Sequence, residues 1–288
     1  MNLIRPSLPL VCPVCKVGSL QDEPDTLVCK AHHCAARHPI VDGVALLLED
    51  FAAYAASERW MVLRRRDLPA PTLAMLDRAL APDSAERVRE QMLHCYRNTW
   101  QFPELECITA AFGDFVTSAL HAHARRVETA VDLGCAAGSH TPWLAPYANA
   151  VAGVDLHFER VRAAHEDHDL DKVRFLVANA EDPPFADASI GLVLWLNLLD
   201  SIARPRLALQ GLLRILEPGG LVVFSSPFTY SSAVSDPGEW VDEAEFDDFV
   251  RQHFDVLVQA ERLPWVVPAG PTRADVFFTR AALLRKRC

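Results

Sequence analysis

The chain has 288 residues, more than one average domain, so a two-part architecture is expected, and 50% of the residues are hydrophobic, enough for a sizeable core. A net charge of -10 weighs against a large nucleic-acid footprint, which needs a basic face. No apolar run reaches the roughly 18 residues of a membrane-spanning helix, and Met1 to Leu10 is too short and proline-broken for a signal peptide, so a cytoplasmic protein with no membrane partner is expected.

The cysteines are unevenly placed, with Cys12, Cys15, Cys29 and Cys34 close to the amino end. Cys12-Pro13-Val14-Cys15 is a tight knuckle, and Cys29 and Cys34 close a second one after a spacer of hairpin length. Four soft ligands in two pairs can surround one tetrahedral ion, so residues 1–50 read as a zinc ribbon that depends on Zn2+ to fold. The wider second spacing holds His32 and His33, either of which is an alternative to Cys34 as ligand. A redox cysteine pair and reduced cysteines in a core are the competing readings, but the βαβ context of a redox C-x-x-C is absent. Arg37 to Leu47 then reads as a strand, a turn and a strand.

Residues 51–105 read as a helical connector. Candidate helices run from Ser57 to Arg66, from Thr72 to Leu80 between two prolines, and from an Asp83 or Ser84 cap to about Tyr96. Leu105 to Arg125 is an amphipathic helix expected to pack on a sheet. The basic clusters Arg64 to Arg66 and Arg285 to Arg287 read as solvated surface.

The stretch Val131-Asp132-Leu133-Gly134-Cys135-Ala136-Ala137-Gly138 is an apolar strand entering a glycine-bearing turn before a helix, the first βα turn of a nucleotide-binding sheet. A dinucleotide turn places further glycines where Ala136 and Ser139 stand, and Asp132 at its mouth would repel phosphate. S-adenosylmethionine carries no phosphate but an ammonium and a sulfonium, which an acidic strand end attracts. The next strand ends in Asp155, placed to take ribose hydroxyls, followed by Leu156. Further strands are expected at Val173 to Val177, before Asn179 and Ala180; at Ser189 to Leu196, containing Trp195; at Leu216 to Phe224; up to Trp265; and at Asp275 to Arg280. Strands alternate with helices, as in a mostly parallel sheet.

Four motifs in order, V-D-L-G-C-x-x-G, G-V-D, N-A-E-D-x-P-F and L-x-P-G-G-x-V-V, resemble those of the class I S-adenosylmethionine-dependent methyltransferases. The resemblance implies an α/β fold over residues 106–288: a Rossmann-like, mostly parallel seven-stranded sheet with helices on both faces. It implies cofactor contacts from Asp132, Gly134, Cys135, Gly138, Asp155, Leu156, Asn179, Ala180 and Trp195. The family often carries an acidic residue near Gly191, so a catalytic acid of that kind is missing. The block Leu10 to Leu48 resembles zinc ribbons fused to, or partnering, several methyltransferases, among them rRNA methyltransferases and the small activator subunit of tRNA and translation-factor methyltransferases. The N-L-L-D, S-S-P-F-T-Y and E-W runs are similar to those of methyltransferases acting on mercaptohistidine.

Methyl transfer from a sulfonium is an in-line displacement that mainly needs a dry, aligned encounter. A thiolate or imidazole needs little base help, whereas a hydroxyl or amide acceptor needs a general base, for which His140, Asp200 and His94 are the candidates. Segments before the first strand of such a domain often form a lid, making Tyr96 and Trp100 substrate-side candidates. Asn197 and the loop residues Ser226, Phe228, Tyr230 and Trp240 join them at the carboxyl edge of the sheet, where α/β ligands sit. The expected function is methyl transfer to a small-molecule substrate. The alternatives are an RNA methyltransferase whose ribbon binds RNA, and a non-catalytic scaffold that activates a partner.

Overall fold

The computed structural model describes residues 7–57, 70–79, 105–168, 171–270 and 273–288. The amino-terminal block folds as two hairpins, β1 (Leu20–Glu23) with β2 (Thr26–Cys29) and β3 (Arg37–Val41) with β4 (Val44–Leu47). Asp42 and Gly43 make the turn of the second hairpin with positive φ, a conformation these two residue types tolerate. Helices α1 (Phe51–Ser57) and α2 (Ala70–Ala79) follow. The rest of the expected Ser57 to Arg66 helix, and the one up to Tyr96, lie outside the described residues.

Helix α3 (Glu106–His123) buries Phe112, Val116, Ala119 and Leu120, residues three or four apart on one face. It leads into β5 (Val127–Leu133) and β6 (Ala148–Asp155), then α4 (Phe158–Asp167), β7 (Val173–Ala178), β8 (Ile190–Leu196) and α5 (Pro205–Ile215). The chain ends with β9 (Leu216–Ser226), α6 (Glu243–His253), β10 (Phe254–Gly270) and β11 (Arg273–Lys286). Between β5 and β6 the expected α-helix is instead a 3-10 helix, Thr141–Tyr147. Pro146 removes an amide that an α-helical ladder would use there.

Strand order is β1-β2-β3-β4-β7-β6-β5-β8-β9-β11-β10. From β7 onward this is the expected seven-stranded sheet, parallel from β7 to β9, with the β11–β10 hairpin antiparallel at its edge. The ribbon does not stop at residue 50 as a separate sheet. Strand β4 lies parallel to β7, pairing Ala45 to Leu47 with Leu176 to Ala178. All four β4 residues are buried, Ala45 and Leu47 in one core and Val44 and Leu46 in the other. A strand covered on both faces is the pattern of a sheet interior.

The loop after β7 is held by the ribbon as well. Leu10 bridges to Phe185, Val11 donates its amide to Pro184 at 3.0 Å, and Ala186 donates to Pro9 at 2.9 Å. Lys16, at the tip of the first knuckle, pairs with Asp182. Among the described residues no helix is long and apolar enough to cross a membrane.

Candidate functional site

The order β6-β5-β8 reverses direction between β5 and β8, and ligands of open α/β sheets bind outside the carboxyl ends of the strands at such a switch. A cavity of about 720 Å³ lies there. Gly134 ends β5 with φ +76°, and a Cβ on it would come within 2.7 Å of Leu198, so the turn accepts only glycine without rearrangement. The amides of Gly134 and Cys135 both reach the carbonyl of Val154, at 2.7 and 3.0 Å, fastening the turn to the end of β6.

Of the expected cofactor residues, Gly134, Cys135, Asp155, Leu156, Asn179 and Ala180 line this cavity. Asp155 accepts the amides of Ala136 at 3.0 Å and His157 at 2.8 Å. A carboxylate offers about four lone-pair sites, so oxygen capacity remains for a diol. Beside it Leu156 is exposed, its carbonyl accepting the Tyr54 hydroxyl at 2.8 Å, and it offers a flat ring an apolar surface. Asn179 accepts the Glu181 amide at 3.0 Å, and Glu181 in turn accepts the backbone amide and the Nε of Arg204, each at 2.8 Å. These donors and acceptors fit a ribose and a base, with no phosphate to place.

Three expected cofactor residues stand elsewhere. Asp132 is buried behind the wall and accepts the Thr141 hydroxyl at 2.6 Å; burial pushes its carboxyl up to about 7. Gly138 closes the turn with φ +79°, packed where a Cβ would meet Ala164 and Phe175 at 2.9 Å. Trp195 is fully buried in the core, because β8 is covered on both faces and its end points one side chain inward.

His140 lines the cavity at the head of the 3-10 helix, 4.6 Å from the Trp143 ring, and burial lowers its pKa so that it is neutral near pH 7. Asp200 is off the wall: it accepts the Thr229 amide at 3.0 Å and the Ser226 hydroxyl at 3.3 Å, and so ties together the loops after β8 and β9. Asn197 is on the wall, its Oδ1 accepting the Ser225 hydroxyl at 2.9 Å. Ser226, Phe228, Tyr230 and Trp240 line no part of the cavity. Phe228 packs on Phe224 and Phe246, while Tyr230 stacks on Trp240 at 5.4 Å and donates to the Val241 carbonyl. His94, Tyr96 and Trp100 lie outside the described residues. Gly191, where a family acid was missed, sits at the amino end of β8, remote from this edge; a Cβ there would strike Val127 at 2.6 Å.

The sequence reading missed Glu181 and Arg204, although Glu181 stands inside the N-A-E-D segment. It also passed over Arg160, a turn into the helix after Asp155, and Val234. Among the described residues Trp265, rather than Trp240, is the tryptophan on the wall.

In the ribbon, the sulfurs of Cys12, Cys15, Cys29 and Cys34 all lie within 4.8 Å of one another, with Cys12 to Cys34 at 3.8 Å and Cys15 to Cys29 at 3.6 Å. Tetrahedral zinc with bonds of about 2.3 Å sets its sulfurs about 3.8 Å apart, so the set fits that ion. Backbone amides of Gly18 and Ala31 point at Cys15 and Cys29 at 3.3 and 3.5 Å, as ligated thiolates require. His32 and His33 are exposed and take no part, whereas buried His38 brings its Nε2 to 3.5 Å from the Cys12 sulfur. A second cavity of about 500 Å³ shares Leu156, Asn179, Glu181 and Arg204 with the first and extends to Pro13 and Lys16 of the knuckle.

Strand order, glycine turn and strand-end carboxylate together define a Rossmann-like α/β domain. Residues 131–224 match the methyltransferase domain family, and the chain carries a class I, S-adenosylmethionine-dependent methyltransferase domain. Among curated proteins it is 33% identical over 98 residues to the human thiol S-methyltransferase TMT1B, covering 33% of this chain and 40% of that protein. The Rattus norvegicus protein of the same name is 35% identical over 101 residues, covering 33% and 41%. The chain thus spans about two fifths of the length of these relatives. Similar solved structures include a chain from the complex of the Haloferax volcanii Trm112 methyltransferase activator with a methyltransferase, at 20% identity and a TM-score of 0.49, covering 64% of this chain and 92% of that one. A methyltransferase from Aquifex aeolicus has 16% identity and a TM-score of 0.45, covering 64% and 93%. Both likenesses are remote, and the fold rests on the strand order itself.

Proposed function

We propose that the protein transfers the methyl group of S-adenosylmethionine to a small-molecule acceptor, with a thiol as the leading acceptor class, and that the four ribbon cysteines hold a structural zinc ion. The observation that carries the reading is the Gly134 turn joined to Asp155 through the Ala136 amide, both lining one open cavity at the switch point with Asn179. The name of the mammalian relatives supports the thiol.

Bound there, the cofactor supplies an electrophilic methyl on a sulfonium. The chain's share is to hold, align and keep dry. Asp155, already fixed by two amides, would accept the ribose hydroxyls without reorganising, and Leu156 would offer the base an apolar surface. The acceptor would lie along Leu196, Asn197 and Leu198 at the end of β8. His140, neutral and on the wall, accepts the proton of an acceptor that arrives as a thiol. A thiol ionises on its own near pH 8.5, so this help matters most at lower pH.

The test is transfer of a trideuteromethyl group from labelled cofactor to a panel of small thiols, imidazoles and phenols and to total RNA, read by mass spectrometry. Label on a thiol supports the reading, and label on RNA alone overturns it. His140→Ala is expected to slow thiol methylation about tenfold or more at pH 6.5 and to approach wild-type rates near pH 9.

A further inference from the structure

The cavity wall divides by charge. Its charged members are Asp155, Arg160, Glu181 and Arg204, with Arg204 tied to Glu181 by two hydrogen bonds. Its apolar members include Leu196, Leu198, Ile202 and Ala203, at and after the end of β8, with Val234 and Trp265. Between them Asn197 and Ser201 add uncharged polar groups. A charged acceptor set against these apolar side chains would give up water that they cannot replace.

Trp265 reaches this wall on an arm. Pairing of β11 with β9 ends at Arg280 with Ser226, but pairing of β10 with β11 continues to Gly270 with Arg273. The stretch beyond Leu263 and Thr279 therefore projects past the carboxyl edge of the sheet, over the ligand side. A bulge between Ala260 and Leu263, with Arg262 at φ +58°, bends the strand at the arm's root. Arg280 braces that root through Asp247 at 2.7 Å and Glu261 at 3.2 Å. Within the arm Trp265 faces its cross-strand partner Phe277 at 5.5 Å, and on the adjoining pair Arg262 lies over the Phe278 ring at 4.8 Å. The indole is thus held from behind by a second ring and from below by an ion-paired bulge, which makes it a fixed wall.

We infer that Trp265 determines acceptor specificity, and that the acceptor is an uncharged, apolar molecule carrying a flat ring that lies against the indole. This rests on the methyltransferase reading and narrows its substrate class. Two neutral rings in contact gain from burial and from offset stacking, and neither requires a polar anchor.

The test uses a matched pair of fluorescent probes on the full chain saturated with S-adenosylhomocysteine: neutral N-phenyl-1-naphthylamine and its sulfonated counterpart 8-anilino-1-naphthalenesulfonate. The neutral probe is expected to bind at least about tenfold more tightly than the sulfonated one. Trp265→Ala should weaken the neutral probe roughly ten- to a hundredfold, and Trp265→Phe, which keeps a ring, only about two- to threefold. Val234→Asp, a change at an exposed loop position that places a charge on the same wall, should also weaken it by about tenfold. S-adenosylhomocysteine affinity, titrated separately, should be the same in all four proteins. Equal binding of the two probes, or neutral-probe binding indifferent to Trp265→Ala and Val234→Asp, overturns the assignment while leaving the cofactor reading intact. Failure of the wild type to bind S-adenosylhomocysteine sinks the methyltransferase reading and this inference with it.

Discussion

Asp132 and Asp155 end neighbouring strands, and burial separates their roles. Asp155, on the cavity wall, is held by two amides and faces the ligand. Asp132 lies behind the wall with the Thr141 hydroxyl as its hydrogen-bond donor, and burial, reinforced by the nearby charge of Asp155, pushes it up to about 7 from an ordinary 3.8. Because the folded protein holds this proton more tightly than the unfolded chain, its contribution is full below about pH 4 and is lost as pH rises toward 7. Three units at about 1.4 kcal/mol each make the loss on the order of 4 kcal/mol. Asp132→Asn should flatten that part of the pH dependence, as urea melts from pH 4.5 to 8 would report; an unchanged slope would count against the assignment. The separation of the two carboxylates was not legible in the sequence. Both are acidic strand ends, and a strand covered on both faces carries no alternation to say which side chain looks inward. Trp195 was misplaced for the same reason, whereas the positions of Gly134, Asp155 and Asn179 on the cavity wall were legible because each is a strand end plus a local turn signature.

At the scale of elements, the ribbon knuckle depends on a glycine. A Cβ at Gly18 would stand 2.3 Å from the Cys29 sulfur and 3.2 Å from that of Cys15. Gly18→Ala should therefore displace a ligand and weaken zinc binding at least about tenfold, measured by competition with a chromophoric chelator. Retained wild-type affinity would mean that the sulfurs do not surround one ion. The cysteine arithmetic was legible because ligand spacing is local. That β4 would join the sheet was not, since a short run such as Val44 to Leu47 fits a free hairpin as well as a sheet interior. The wall tryptophan was equally hidden: only the bulge at Arg262 and the length of the β10–β11 pairing carry Trp265 over the cavity, and strand register is not written in composition.

For the molecule as a whole, the parallel pairing of β4 with β7 and the shared cores make the ribbon and the methyltransferase domain one sheet. The loop that follows β7 carries Asn179 and Glu181 at one end and is pinned by Leu10, Val11 and Lys16 at the other. Calorimetry should show one cooperative unfolding transition, shifted downward as a unit when a chelator strips the metal. Two transitions, of which only the smaller responds to chelator, would show that the ribbon folds independently. Covering the β7 edge also removes a row of unpaired backbone groups that would otherwise invite association.

The most direct measurement is calorimetric titration of the wild-type chain and of Asp155→Ala with S-adenosylmethionine. Two hydrogen bonds to a charged group, at about 1.5 to 3 kcal/mol each, put the expected loss of affinity at a hundredfold or more. One cofactor bound per wild-type chain, with affinity lost in the variant, is the predicted result. No binding to the wild type, or equal binding to both, would contradict the account.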